Sequence, residues 1–128
     1  MATRRAAATM PNRSAVGILG SYHGKRFEML TITAVIRAKN GQEGTMRRAL
    51  LTVADNVRLN EPNILGFFVS QDPAAPRVFT TYERFVDQAA MDVHNNNSEV
   101  VARFFGIAKP ILEGDVVLVT ARELSAKA

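Results

Sequence analysis

The side chains able to move a proton near neutral pH are few in this 128-residue sequence: two histidines, His23 and His94, and no cysteine. Thiolate nucleophiles, disulfides and thiolate metal sites are therefore excluded. A zinc site would have to recruit carboxylates, and no ligand-spaced cluster is present, so no metal is expected. His94 follows Ala90 and Met91 at spacings of four and three. On a helix these three share a face, so the imidazole points inward. Placed there, it can accept or return a proton, which suits enolisation or deprotonation of a phenol. The same placement also suits a packed histidine that hydrogen-bonds helix to sheet. Glu83 lies in the alternating run Thr81-Tyr82-Glu83-Arg84-Phe85. If it faces inward with Phe85, its carboxylate needs a partner, because an unpaired buried charge is costly. His94 can be that partner, and a Glu–Arg or Glu–backbone contact is the plainer alternative. Of the phenylalanines, Phe67, Phe68, Phe79, Phe85, Phe104 and Phe105 are candidates to line a flat apolar pocket. Core packing explains most of them, and Phe85, with Phe67, is the candidate wall for an aromatic ligand. In the run Asn95-Asn96-Asn97, Asn97 is a candidate hydrogen-bonding contact, although a polar loop between helices explains the run equally.

These residues must be held by regular elements, and the pattern from Met29 onward supplies them. Leu30, Ile32, Ala34 and Ile36 alternate with Thr31, Thr33, Val35 and Arg37, which predicts a strand with one apolar face. Asn40-Gly41 ends it. Met46, Ala49, Leu50, Val53 and Val57 then recur at helical spacing over residues 43–60. Pro62 stops that helix, since it cannot continue the hydrogen-bond ladder and restricts Glu61 before it. Residues 64–70 and 78–85 read as two further strands joined by a proline-containing connection. A short helix carrying Ala90, Met91 and His94 follows. Ser98 is placed to cap the next helix, which carries Val100, Val101, Phe104, Phe105 and Ala108 as far as Pro110. Residues 116–121 form a last strand, apolar at nearly every position, which predicts burial on both faces. The order is β-α-β-β-α-β with a broken second helix, an α+β ferredoxin-like arrangement with an antiparallel sheet.

The net charge of +4 raises the question of nucleic acid. Residues 1–28 hold Arg4, Arg5, Arg13, Lys25 and Arg26 against Glu28 alone, whereas the remainder holds eleven residues of each sign. The excess lies wholly in the leader, so residues 29–128 offer no basic footprint for a phosphate backbone. No apolar run approaches the length of a membrane span. The chain is expected to divide into an N-terminal extension, residues 1–28, and a folded domain, residues 29–128. The leader's Arg-rich, acid-poor composition also suits a transit peptide, or sequence upstream of a start at Met29. Gly20, Gly24, Lys25 and Arg26 do not make a phosphate loop, which needs four residues between the glycines and Ser or Thr after the lysine. The absence of cysteine suits a reducing, cytoplasmic setting.

From Leu30 to about Leu124 the chain resembles the antibiotic-biosynthesis monooxygenase family. The resemblance rests on an ordered set: the Gly41 turn before a long amphipathic helix, Glu61-Pro62 at its end, Tyr82-Glu83-Arg84-Phe85 closing the third strand, then Asp87, Ala89-Ala90 and His94. Asn63 stands where the family usually has glycine, a replacement that tolerates left-handed backbone. Phe85 stands where many members have tryptophan, and Glu99 where a second histidine is common. The resemblance implies a dimeric α+β barrel, a homodimer in which two four-stranded sheets meet. It also implies a cofactor-independent monooxygenase oxidising a small phenolic, quinol or polyketide-like substrate with O2. His94 would be base or proton shuttle, Glu83 its orienting partner and Phe85 the aromatic wall. Haem degradation is disfavoured, because that branch depends on an Asn on the first strand and a Trp on the third, and this chain has neither there. Two alternatives remain. An isomerase or binding protein for a small carbonyl or sugar phosphate would need cationic anchors, with Arg84 or Arg37 available. A non-catalytic dimeric module would fill its cavity with side chains.

Overall fold

The computed structural model describes residues 29–127, and the leader, residues 1–28, lies outside the described residues. The elements are β1 (Leu30–Arg37), α1 (Glu43–Asn60), β2 (Ile64–Gln71), β3 (Val78–Phe85), α2 (Gln88–Asn97), α3 (Glu99–Ala108), a 3-10 turn (Lys109–Ile111) and β4 (Val117–Arg122). All strand pairs are antiparallel, in the order β2-β3-β1-β4. The α+β ferredoxin-like expectation is met. No helix among the described residues is long and apolar enough to cross a membrane.

The pleat sends Leu30, Ile32, Ala34 and Ile36 of β1 to one buried face, and Phe79, Thr81, Glu83 and Phe85 of β3 to the same face. The helices cover that face. Helix α1 buries the five residues its spacing singles out, Met46, Ala49, Leu50, Val53 and Val57. Gly41 leads into it at φ 84, a left-handed conformation that glycine enters without steric cost. The core divides into two parts along the strands. One gathers Ala34, Ile36, Met46, Leu50, Phe79 and Ala108. The other gathers Leu30, Ile32, Val53, Val57, Ile64, Phe85, Met91 and Val101.

Two expectations change. β4 is an edge strand whose alternate residues are open, with Val117 and Val119 50% and 40% exposed. An apolar run suggests burial on both faces, but a single chain supplies cover for only one. Asn63 does not use left-handed backbone, since no described residue other than glycine has positive φ.

The uncovered side of the sheet is itself partly apolar. Phe68 stacks on Tyr82 with ring centroids 6.3 Å apart, and both rings are exposed. Gly66 makes this possible. A Cβ there would come within 2.8 Å of the Phe68 ring, so glycine lets the ring lie flat along the strand. Beside it, Arg84 forks onto both oxygens of Glu123 at 2.9 Å.

Candidate functional site

Helix α2 carries His94 because its start is firmly set. Asp87 sits in extended backbone and accepts a hydrogen bond from the Ala90 amide at 2.9 Å, an N-cap that fixes where the first turn begins. One and two turns later the buried face presents Ala90, Met91 and His94. The Asn run continues the helix rather than breaking it, and Ser98 then caps α3 through the Val101 amide. His94 is thus held 4% exposed, against the inward face of β3.

Two carboxylates meet it from opposite sides. Glu83 reaches up from β3, with Oε1 3.8 Å from His94 Nε2. Its other oxygen accepts a hydrogen bond from Thr81 Oγ1 at 2.8 Å. Glu61, at the end of α1, places Oε1 3.0 Å from His94 Nδ1. Its Oε2 accepts from Asn56 Nδ2 at 2.9 Å, and Asn56 Oδ1 in turn accepts from Asn60 Nδ2 at 2.8 Å. Glu61 is positioned by the way α1 stops. Its own amide bonds back to Val57, the Ile64 amide bonds to its carbonyl, and the following turn is tied to the end of β3 by the Val86 amide on Asn63. A line of polar side chains therefore runs from exposed Asn60 through Asn56, Glu61, His94 and Glu83 to buried Thr81.

The environments of the two carboxylates differ. Burial pushes the Glu83 carboxyl above its ordinary range; the Thr81 hydrogen bond and the nearby His94 oppose this, and the charge of Glu61 adds to it. Burial thus makes Glu83 hold its proton more tightly than a solvated glutamate does. Glu61 borders a solvent-open hollow of about 270 Å³, walled also by Asn63, Ile64, Asp87, Ala90 and Val93. A larger hollow, about 360 Å³, lies at the other end of the sheet beside Arg37, Glu43 and Arg77. Neither has Glu83, His94, Phe67 or Phe85 in its wall. Proximity to the titratable cluster, not size, makes the smaller hollow the relevant one.

Aromatic rings close the rest of the site. Phe85 is fully buried, tilted against His94 with centroids 5.8 Å apart. Phe67, on edge strand β2 opposite Glu83, meets the imidazole edge-on at 5.7 Å and is only half-buried. The chain therefore brings together four of the five residues singled out from sequence, His94, Glu83, Phe85 and Phe67. Asn97, one turn beyond His94, is exposed at the end of α2. Sequence reasoning missed Glu61, Asn56 and Thr81. Glu61 was legible as the residue before a helix-stopping proline and as part of the Glu61-Pro62 motif, with no role attached, and 33 positions separate it from His94.

The cationic anchors needed for a sugar phosphate are elsewhere. Arg84 is on the opposite sheet face, held by Glu123. Arg37 lies five residues along β1 from Ile32, the partner of Glu83. That is roughly 17 Å along the strand. Among the described residues no group of three or more His, Asp and Glu could hold a metal ion.

The fold is shared with solved structures. A Pseudomonas aeruginosa protein matches at 26% identity and a TM-score of 0.72, over 80% of this chain and 100% of its own. A conserved protein from Methanosarcina mazei matches at 16% identity and a TM-score of 0.69, over 78% and 97%. A Shewanella oneidensis protein matches at 22% identity and a TM-score of 0.68, over 76% and 92%. No curated protein matches the sequence. Residues 29–104, from the start of the sheet through the histidine helix and into α3, match the model of the antibiotic biosynthesis monooxygenase family, and the chain belongs to that family.

Proposed function

We propose that the protein is a cofactor-independent monooxygenase for a small phenol, quinol or anthrone. One observation carries this reading. A single buried imidazole lies between two carboxylates in unlike environments, against two phenyl rings. An imidazole held by one carboxylate, beside a second carboxyl whose burial makes it hold its proton more tightly, is suited to acid–base work. His94 takes the substrate's hydroxyl proton, and the electron-rich anion then gives its electrons to O2. One oxygen atom enters the ring carbon and the other leaves as water, so the substrate supplies all four electrons. Phe85 and Phe67 form the aromatic walls, and Phe67 must swing aside for a ligand to reach Nε2. The sugar-phosphate reading loses support, because neither Arg37 nor Arg84 reaches the cluster.

The test is oxygen uptake with a panel of phenols, quinols and anthrones, wild type against His94→Ala. Loss of about 10²-fold or more in rate is expected for removal of a general base. Equal rates remove His94 from the chemistry. A non-catalytic module is the second reading, favoured by the close approach of Phe67 and Phe85 to the imidazole, and a wild-type protein inert to the whole panel would select it.

The working unit in this proposal is a homodimer formed across the uncovered sheet face. The exposed Phe68, Tyr82, Val117 and Val119 support it, since a small chain gains stability by burying such a surface. Sedimentation should give twice the 14.0 kDa chain mass. Val119→Lys, which places a charge on that face, should shift the species to the single chain; an unchanged mass would place the interface elsewhere.

A further inference from the structure

The hydrogen bonds on the solvent side of His94 have a direction. Asn60 Nδ2 donates to Asn56 Oδ1, so the Asn56 amide nitrogen is the atom that faces Glu61. Asn56 then donates to Glu61 Oε2, and the remaining oxygen, Oε1, faces His94 Nδ1 at 3.0 Å. A carboxylate only accepts hydrogen bonds. His94 Nδ1 must therefore be the donor, and in the neutral ring this leaves Nε2 without a proton. The inner side is different: Nε2 and Glu83 Oε1 stand 3.8 Å apart, too far for a direct hydrogen bond.

We propose that Glu61 is a positioning residue for His94: by accepting the Nδ1–H it makes Nε2 the proton-accepting nitrogen and aims it at the gap beside Glu83. A carboxylate behind a basic imidazole does the same work in hydrolytic triads. The proposal rests on the oxygenase reading above and reassigns its two carboxylates. Glu61, not Glu83, orients the histidine, and Glu83 belongs to the substrate side. With Phe67 swung aside, the 3.8 Å span lets a hydroxyl oxygen lie about 2.8 Å from both Nε2 and Oε1. There the O–H bond of an aromatic alcohol breaks, its proton goes to Nε2, and its electron pair stays on the oxygen. Glu83, held by Thr81 through its other oxygen, lies against the resulting phenolate and, when protonated, donates a hydrogen bond to it. The ligand class is thus a hydroxylated aromatic ring, with Phe67 and Phe85 on its faces and its oxygen toward β3.

The decisive variant is Glu61→Gln, which keeps the side-chain volume. Asn56 Nδ2 claims the glutamine carbonyl, so the new NH2 faces Nδ1, and the ring must move its proton to Nε2 to accept it. Nitrogen-15 NMR of histidine-labelled full-length protein, at a pH where the ring is neutral, reads the tautomer directly; a His94→Ala spectrum separates His94 from His23. The wild type should carry the proton on Nδ1, Glu61→Gln should carry it on Nε2, and Glu61→Asp should restore Nδ1. With a phenol that the wild type oxidises, kcat of Glu61→Gln should fall on the order of 10²–10⁴-fold with KM nearly unchanged. A wild-type proton on Nε2, an unchanged tautomer in Glu61→Gln, or an inverted tautomer with undiminished kcat would each overturn the proposal. The tautomer measurement needs no substrate. A wild type inert toward phenols therefore defeats the oxygenase reading by itself, while the NMR result still decides whether Glu61 orients His94.

Discussion

The two ends of the core are built on the same strands and filled by opposite principles. Around Phe79 the inward face is dry: Ala34, Ile36, Met46, Leu50 and Ala108 close on one another by shape alone. Around Phe85 the same pleat brings in Glu83, and the helix above it brings in His94, so apolar packing encloses a hydrogen-bonded line. Thr81, paired with Ala34, stands between them. A buried polar group is tolerated when its partners are all in place, and becomes expensive when one is removed. The dry end therefore serves stability, and under the proposed function the polar end trades some of that stability for chemistry.

The sharpest way to test this division is to cut the same side chain from each end. Phe79 and Phe85 are both essentially fully buried on β3. Truncating either to alanine should cost about 3–5 kcal/mol in urea denaturation, from lost burial and the cavity left behind. Only Phe85→Ala should also change the NMR signals of the His94 ring, which Phe85 touches. Equal disturbance of His94 by Phe79→Ala would show that the ends are not separate.

A smaller effect should appear in the pH dependence of stability. Burial raises the Glu83 carboxyl above its ordinary 4.5, so the folded state holds this proton more tightly than the unfolded chain does. The stabilisation is fully present below pH 4.5 and is lost as pH rises through the folded value. Glu83→Gln, permanently neutral and of similar size, lacks this loss. Relative to the wild type it should therefore gain stability as pH rises from 4 toward 8. The carboxylates common to both proteins largely cancel in the difference. A difference independent of pH would mean that partners, not burial, dominate at Glu83.

Much of the scaffold was legible from spacing. The alternation in β1, the five apolar positions of α1 and the Ser98 cap all report local geometry, and local geometry is written in neighbouring residues. β4 shows where this stops. Its nearly continuous apolar run, interrupted by Thr120, records that both faces can be buried, but not what covers the second one, and the single chain leaves Val117 and Val119 open.

The site divides along the same line. Sequence alone determined that His94 faces inward with Ala90 and Met91, because helical periodicity fixes which residues share a side. It also determined that Glu83 shares the face of Phe85, because the strand period is two. Only the tertiary structure decided that Glu61 holds the imidazole at 3.0 Å while Glu83 stands back at 3.8 Å. Periodicity fixes the direction of a side chain relative to its own element. The distance between side chains on different elements depends on how those elements pack, and the stop at the end of α1 becomes a partner for His94 only once helix and sheet have closed together.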